Sequence, residues 1–246
     1  MPKYRWEIAE MARGYDEGAA VVHPHYLELQ GLLIRRIGEL GLTAPHIVDL
    51  GAGSGRLAGR FLDEFPGGFV TLVDRSEAFL EIARGRLDPS RSGFVVSILQ
   101  DDWPAAIDQP VDAIVSMSAI HHLETPEKRA LYQRCFDRLR PGGLFINGDE
   151  VRPEDPAEYL RRMKAWGKHM DAVVAENRVT PPMAEALRAW QERNIDRFEE
   201  PRHSGDDCHD TTDVQLAMLR DAGFTDVTVP WAKGMWACLF ARKPAI

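Results

Sequence analysis

The stretch that most constrains how this chain can fold is Ile47–Arg56, which reads IVDLGAGSGR. Ile47, Val48 and Leu50 surround Asp49 in a short apolar run. Gly51, Gly53 and Gly55 follow, each separated by one small residue. From Arg56 onward Leu57, Ala58, Phe61, Leu62 and Phe65 recur at helical spacing. The pattern predicts a buried strand that enters a glycine turn and leaves as a helix. Glycine accepts positive φ and lets another molecule approach the backbone closely. The helix start adds unpaired N–H groups and the positive end of a dipole. Such a turn suits a polar ligand that carries a carboxylate or phosphate.

Spacing separates the ligand classes. The dinucleotide fingerprint G-x-G-x-x-G needs glycine at position 56, where this chain has Arg56. Here the third glycine comes one residue early, and the acid Asp49 precedes the turn. A second apolar strand, Phe69 to Val73, ends at Asp74, where a carboxylate can accept from both hydroxyls of a ribose. The neighbouring Arg75 would meet a 2′-phosphate in an NADP reading, which the glycine spacing disfavours. DLGAGSG resembles motif I of the class I S-adenosylmethionine (SAM)-dependent methyltransferases. The resemblance extends over AIHHLETPEKRALYQRCFDRLRPGGLFI and, near the end, LRDAGFTDVTV with a closing strand. It implies SAM as cofactor, S-adenosylhomocysteine as product, and an α/β fold. That fold is a doubly wound Rossmann-like sheet of seven strands, mostly parallel with an antiparallel last strand.

Local signals support alternating strands and helices. Ser76 can cap a helix carrying Phe79, Leu80, Ala83 and Leu87. Gly93 to Leu99 reads as a buried strand, and Val111 to Met117 as another. Thr125-Pro126 is a helix start, and Leu144 to Ile146 begins a fifth strand. Repeated strand–helix units imply right-handed crossovers and a parallel sheet, whose ligand residues gather at the carboxyl ends of the strands. Asp49, Asp74, Asp102, Ser116 and the run to His122, and Asn147 to Glu150 all stand at such ends. The resemblance gives the cofactor contacts as Asp49, Gly51, Ala52, Gly53, Gly55, Asp74, Arg75 and Ser116. Asp102, with Asp101 second, would take the adenine amino group, and Trp103 would flank the ring. Tyr15 would reach the cofactor from an N-terminal lid.

Residues 151–210 read as a helical lobe inserted over the active site, between the core (44–150) and the last helix with two closing strands (211–246); residues 1–43 form a helical cap. Glu150, His203, His209 and Trp236 are candidate acceptor contacts, together with His122. His121 or His122 can take a proton from the acceptor, since imidazole titrates in the useful range. His203, Asp206, Asp207, Cys208 and His209 have metal-ligand chemistry, but their spacing fits no closed zinc pattern. No metal is expected there.

The formal charge of −8 disfavours a nucleic-acid footprint, which needs a basic face. Ser116-Met117-Ser118-Ala119 stands where base-amino methyltransferases of this fold carry an acid or Asn before Pro-Pro and an aromatic. A small-molecule acceptor is therefore expected. Three scattered cysteines without a C-x-x-C pair suggest a reduced, cytoplasmic setting. No apolar run is long enough to span a membrane, and a homodimer is compatible. Two alternatives stay open: a SAM-modifying enzyme like the carboxy-SAM synthases, and a non-catalytic SAM-binding regulator.

Overall fold

The computed structural model describes residues 5–245; residues 1–4 of the expected cap, and residue 246, lie outside the described residues. Seven strands form one sheet in the order β3-β2-β1-β4-β5-β7-β6. They are β1 (His46–Leu50), β2 (Phe69–Asp74), β3 (Ser92–Val96), β4 (Val111–Met117), β5 (Leu139–Glu150), β6 (Thr225–Lys233) and β7 (Trp236–Arg242). β1 to β5 run parallel, and β7 lies antiparallel between β5 and β6. This is the expected sheet, with the last strand antiparallel.

The central strands are apolar on both faces because both are covered. Ile47, Ala113, Val115, Leu144 and Ile146 belong to one core. Their neighbours Val48, Ile114 and Phe145 belong to the other. This period-2 division marks strands sandwiched between two helical layers. The first layer includes α2 (Tyr26–Gly38), α3 (Arg56–Glu64) and α4 (Glu77–Arg86). The second includes α5 (Thr125–Arg138) and α8 (Thr212–Asp221). Gly148 on β5 lets α2 lie close, since a Cβ there would meet Leu29 at 2.8 Å.

Three further helices roof the carboxyl edge of the sheet. α1 (Ala9–Val22) comes from the N-terminal segment, whereas α6 (Pro156–Ala175) and α7 (Pro181–Gln191) come from the expected lobe. Asp155 caps α6 by accepting from Ala157 N, with Pro156 at the first helical position. α7 continues into a π-helical turn, Glu192–Asp196. α1 and α7 pack through Gly14 and Gly18, beside Thr180 and Val179 respectively. Trp166 Nε1 donates to Val22 O at 2.9 Å. Among the described residues, no helix is long and apolar enough to cross a membrane.

The loop after the π-turn is tied to α5 by a buried ion pair. Lys128, 1% exposed, donates to Asp210 Oδ2 at 2.7 Å and also to the Cys208 carbonyl. Removing one partner of such a pair strands a buried charge. Lys128→Ala is expected to cost about 3 kcal/mol or more of unfolding free energy. Urea denaturation measures this, and a loss below about 1 kcal/mol would contradict the assignment.

Candidate active site

The turn 51–55 is held from two sides. Gly51 N donates to Val73 O at 2.8 Å, and Gly53 N donates to Asp74 Oδ2 at 2.8 Å. All three glycines have positive φ: 66° at Gly51, 53° at Gly53 and 73° at Gly55. A Cβ on Gly51 would come within 2.3 Å of the Ala119 Cβ, so no other residue fits there without moving β4's exit loop. At Gly53 nothing lies within 4 Å of a Cβ position, which leaves open space above the backbone. Asp74 Oδ1 accepts from Ser76 N at 2.8 Å. Burial raises the Asp74 pKa, while the Ser76 and Gly53 N–H groups oppose the rise. Asp49 is 2% exposed, and its Oδ2 has no hydrogen-bond partner. Burial, then the nearby Asp74 charge, raise its pKa to about 8.

These groups line one cavity of about 280 Å³ beneath α1, α6 and α7. Tyr15, Asp49, Gly51, Ala52, Gly53, Asp74 and Arg75 line it as expected, and so do His121, His122 and Glu150. The N-terminal lid is latched to the turn through Asp16, next to the expected contact Tyr15. Asp16 accepts from Ser54 Oγ at 2.5 Å, Arg56 Nε at 2.8 Å and Arg86 Nη2 at 2.9 Å. Burial raises the Asp16 pKa, but these donors outweigh it and lower it overall.

At the other end of the cavity stands a polar wall. His121 lies on the 3-10 turn Ile120–His122 after β4. Its ring Nδ1 is 2.6 Å from Asp149 Oδ1, and its backbone N donates to Asp149 Oδ2 at 3.0 Å. Glu150 Oε2 is 3.0 Å from the same Nδ1, so two carboxylates flank one ring nitrogen. Glu150 Oε1 accepts from Ser118 Oγ at 3.2 Å and Trp236 Nε1 at 3.1 Å, with His23 Nδ1 at 3.3 Å. Burial pulls the His121 pKa down, but the Asp149 and Glu150 carboxylates outweigh it and hold it well above its usual value. Burial and the adjoining His121 ring push His122 down to about 4, although a third of its side chain faces the cavity.

Several expected contacts fall elsewhere. β3 ends at Val96, earlier than its apolar run suggests, so Ser97 to Gln100 line the cavity instead of Asp101 and Asp102. Both aspartates are exposed. Trp103 is 1% exposed and belongs to the second core, behind the sheet edge. Gly55 caps α3 and packs near Leu72 and Ala83. Ser116 donates to Leu50 O at 2.8 Å and ties β4 to β1. Trp236 backs Glu150 without lining the cavity. His203 is 77% exposed. His209 is buried beside a second, polar cavity, where its Nδ1 meets Tyr159 OH at 2.6 Å. Of the 200–210 loop, Ser204, Gly205 and Asp207 reach the main cavity. Trp190, on α7, lines it as well and was not anticipated.

A family model described as a methyltransferase domain matches residues 47–143, the span that holds the glycine turn, Asp74 and both histidines. Residues 47–143 thus carry a methyltransferase domain, and the relatives and fold neighbours support the class I SAM-dependent kind. It is 32% identical over 160 residues to the carboxy-S-adenosyl-L-methionine synthase of Aeromonas hydrophila, covering 65% of this chain and 57% of that protein. It is 30% identical over 156 residues to the trans-aconitate 2-methyltransferase of Streptomyces coelicolor, covering 58% and 50%. The chain thus spans about half the length of these relatives. An O-methyltransferase family protein from Burkholderia thailandensis superposes with TM-score 0.63 at 18% identity, over 98% of this chain and 62% of that one, which shows the shared fold.

The cofactor of this methyltransferase family is SAM, and the residues present fit it. Gly53 leaves open space, Asp74 keeps acceptor capacity for a diol, and Asp49 offers an unpaired buried carboxylate to a cation. Ionised Asp49 is the form that a cationic ligand favours, and its raised pKa makes it largely protonated in the free protein at neutral pH. The ratio of SAM affinity in the wild type to that in Asp49→Asn should therefore rise with pH up to about 8, by at most about tenfold per pH unit. Calorimetry across that range measures it, and a flat ratio would contradict the assignment.

Proposed function

We propose that the protein transfers the SAM methyl group to a small-molecule acceptor bound between the sheet edge and the helical roof. The observation that carries this reading is the single cavity that joins the glycine turn to the wall of His122, Glu150 and Asp207. Trp166, Met170, Met183, Leu187 and Trp190 face the same space from α6 and α7. An apolar roof over a polar floor suits a compact organic acceptor with one or two polar groups. The net charge of −8 supports a small acceptor over nucleic acid. Three free cysteines fit a reducing cytoplasm.

SAM supplies a sulfonium methyl, whose C–S bond breaks as the acceptor's nucleophile bonds to the methyl carbon, leaving the electron pair on sulfur. The chain's contribution is mainly positioning within a water-poor cavity. Asp49 and Asp74 hold the cationic and diol ends, and the roof excludes water. A proton released by the acceptor meets a connected wall of two imidazoles and the carboxylates of Asp149, Glu150 and Asp207. His121, anchored by Asp149, fixes that wall, and His122 presents it to the cavity.

Incubation with SAM and a panel of small hydroxy, amino, thiol and carboxylic acids is expected to yield S-adenosylhomocysteine and one methylated product. With that acceptor and saturating SAM, His121→Ala and His122→Ala should each lower kcat by about 100-fold or more. Unchanged kcat in both would remove them from the mechanism. A co-purified adenosyl compound heavier than SAM would instead favour a SAM-modifying reaction. Tight SAM binding with no product from the whole panel would favour a regulator.

A further inference from the structure

The polar wall contains a feature that methyl transfer does not require. His121, His122 and Asp207 each place one ligand-type atom within 4.8 Å of the others. His121 Nε2 is 3.8 Å from Asp207 Oδ1, and His122 Nδ1 is 3.5 Å from the same oxygen. Ligand atoms about 2.1 Å from a metal are about 3.0 to 3.4 Å apart in octahedral or tetrahedral shells. The two distances to Asp207 Oδ1 are within a few tenths of an ångström of that. The residues are remote in sequence, which is why no motif shows. Two backbone bonds bring them together: Gly205 N donates to His122 O and Cys208 N to His121 O, both at 2.8 Å.

Two of the three prospective ligands are also oriented from behind; His122 Nδ1 lies 3.2 Å from the Asp206 carbonyl, a contact the ion would replace with the ring in its other tautomer. Asp149 takes the Nδ1 side of His121 at 2.6 Å, which leaves Nε2 facing Asp207. Trp190 Nε1 donates to Asp207 Oδ2 at 2.6 Å, which leaves Oδ1 facing the histidines. Such outer partners set the tautomer and aim of metal ligands. His209 adds an independent sign. It is 7% exposed, its Nε2 has no partner, and its ring centroid is 5.3 Å from that of His121. A buried polar atom left unmatched beside the cluster is what a missing cation would explain.

We propose that His121, His122 and Asp207 bind one divalent first-row transition ion, with its remaining positions open to the cavity. Two imidazoles and one carboxylate suit iron, cobalt or zinc better than magnesium or calcium, which prefer all-oxygen shells. The binding site stands on its own geometry; its use, holding an oxygen of the acceptor beside the methyl donor, rests on the methyl-transfer reading above.

The test uses the full chain, stripped with a chelator and titrated with Co²⁺, with S-adenosylhomocysteine binding as the check that each protein is folded. One equivalent is expected to bind with a visible absorption band. Asp207→Asn and His122→Ala should each weaken binding by at least about tenfold, while His203→Ala should not. X-ray absorption on the wild type, which needs no variant to fold, should show two imidazole nitrogens and oxygen at about 2.0–2.2 Å. No uptake by protein that binds S-adenosylhomocysteine would overturn the site while leaving the methyltransferase reading intact. So would undiminished binding in both folded variants, or a cobalt shell without imidazole.

Discussion

The rest of the structure depends on how closely the 51–55 turn approaches the end of β2. Gly53 N and Ser76 N both donate to Asp74, so one carboxylate joins the turn after β1 to the helix start after β2. This contact requires φ values that L-residues rarely adopt, and at Gly51 it requires the absence of a Cβ. β1 and β2 pair in register from His46–Phe69 to Leu50–Val73, so their carboxyl ends arrive together. Because both strands are buried on both faces, neither end can drift without disrupting a core.

What is built above that edge is chemically divided. Near the turn the cavity offers carboxylates, and the latch formed by Asp16, Ser54, Arg56 and Arg86 fixes the N-terminal helix over it. Farther along, two histidines meet three buried carboxylates, with Trp190 and Trp236 bonded to the outer oxygens. The backbone bonds from 205 and 208 to the histidine turn make this wall a joint product of the core and the lobe. The two ends share one space, which is why cofactor and acceptor are read as neighbours.

Most of the sheet was legible in the sequence because strand ends, glycines and helix caps are local signals. The candidate cofactor residues on β1 and β2, which line the cavity, followed from them. β3 was misjudged for a physical reason: its apolar run continues to Leu99, but Ser97 to Gln100 turn away at the sheet's edge, and the apolar side chain of Leu99 is buried outside any strand. The assignments to Asp101, Asp102 and Trp103 shifted with it. Ser116 stood at a strand end as expected, yet its hydroxyl is used inside the sheet. Trp190 was hidden, and Asp207 stood out only as one of several ligand-type residues in its loop, because both reach the site through tertiary packing and no spacing rule links them to His121.

The central claim is that the glycine turn and Asp74 together grip an adenosyl compound. Calorimetric titration of the wild type and Gly51→Ala with S-adenosylhomocysteine tests it most directly. The account predicts one-to-one binding by the wild type and at least about tenfold weaker binding by the variant, because the added Cβ would displace Ala119 or the turn. Absence of heat with folded wild type, or equal affinity in the two proteins, would contradict it.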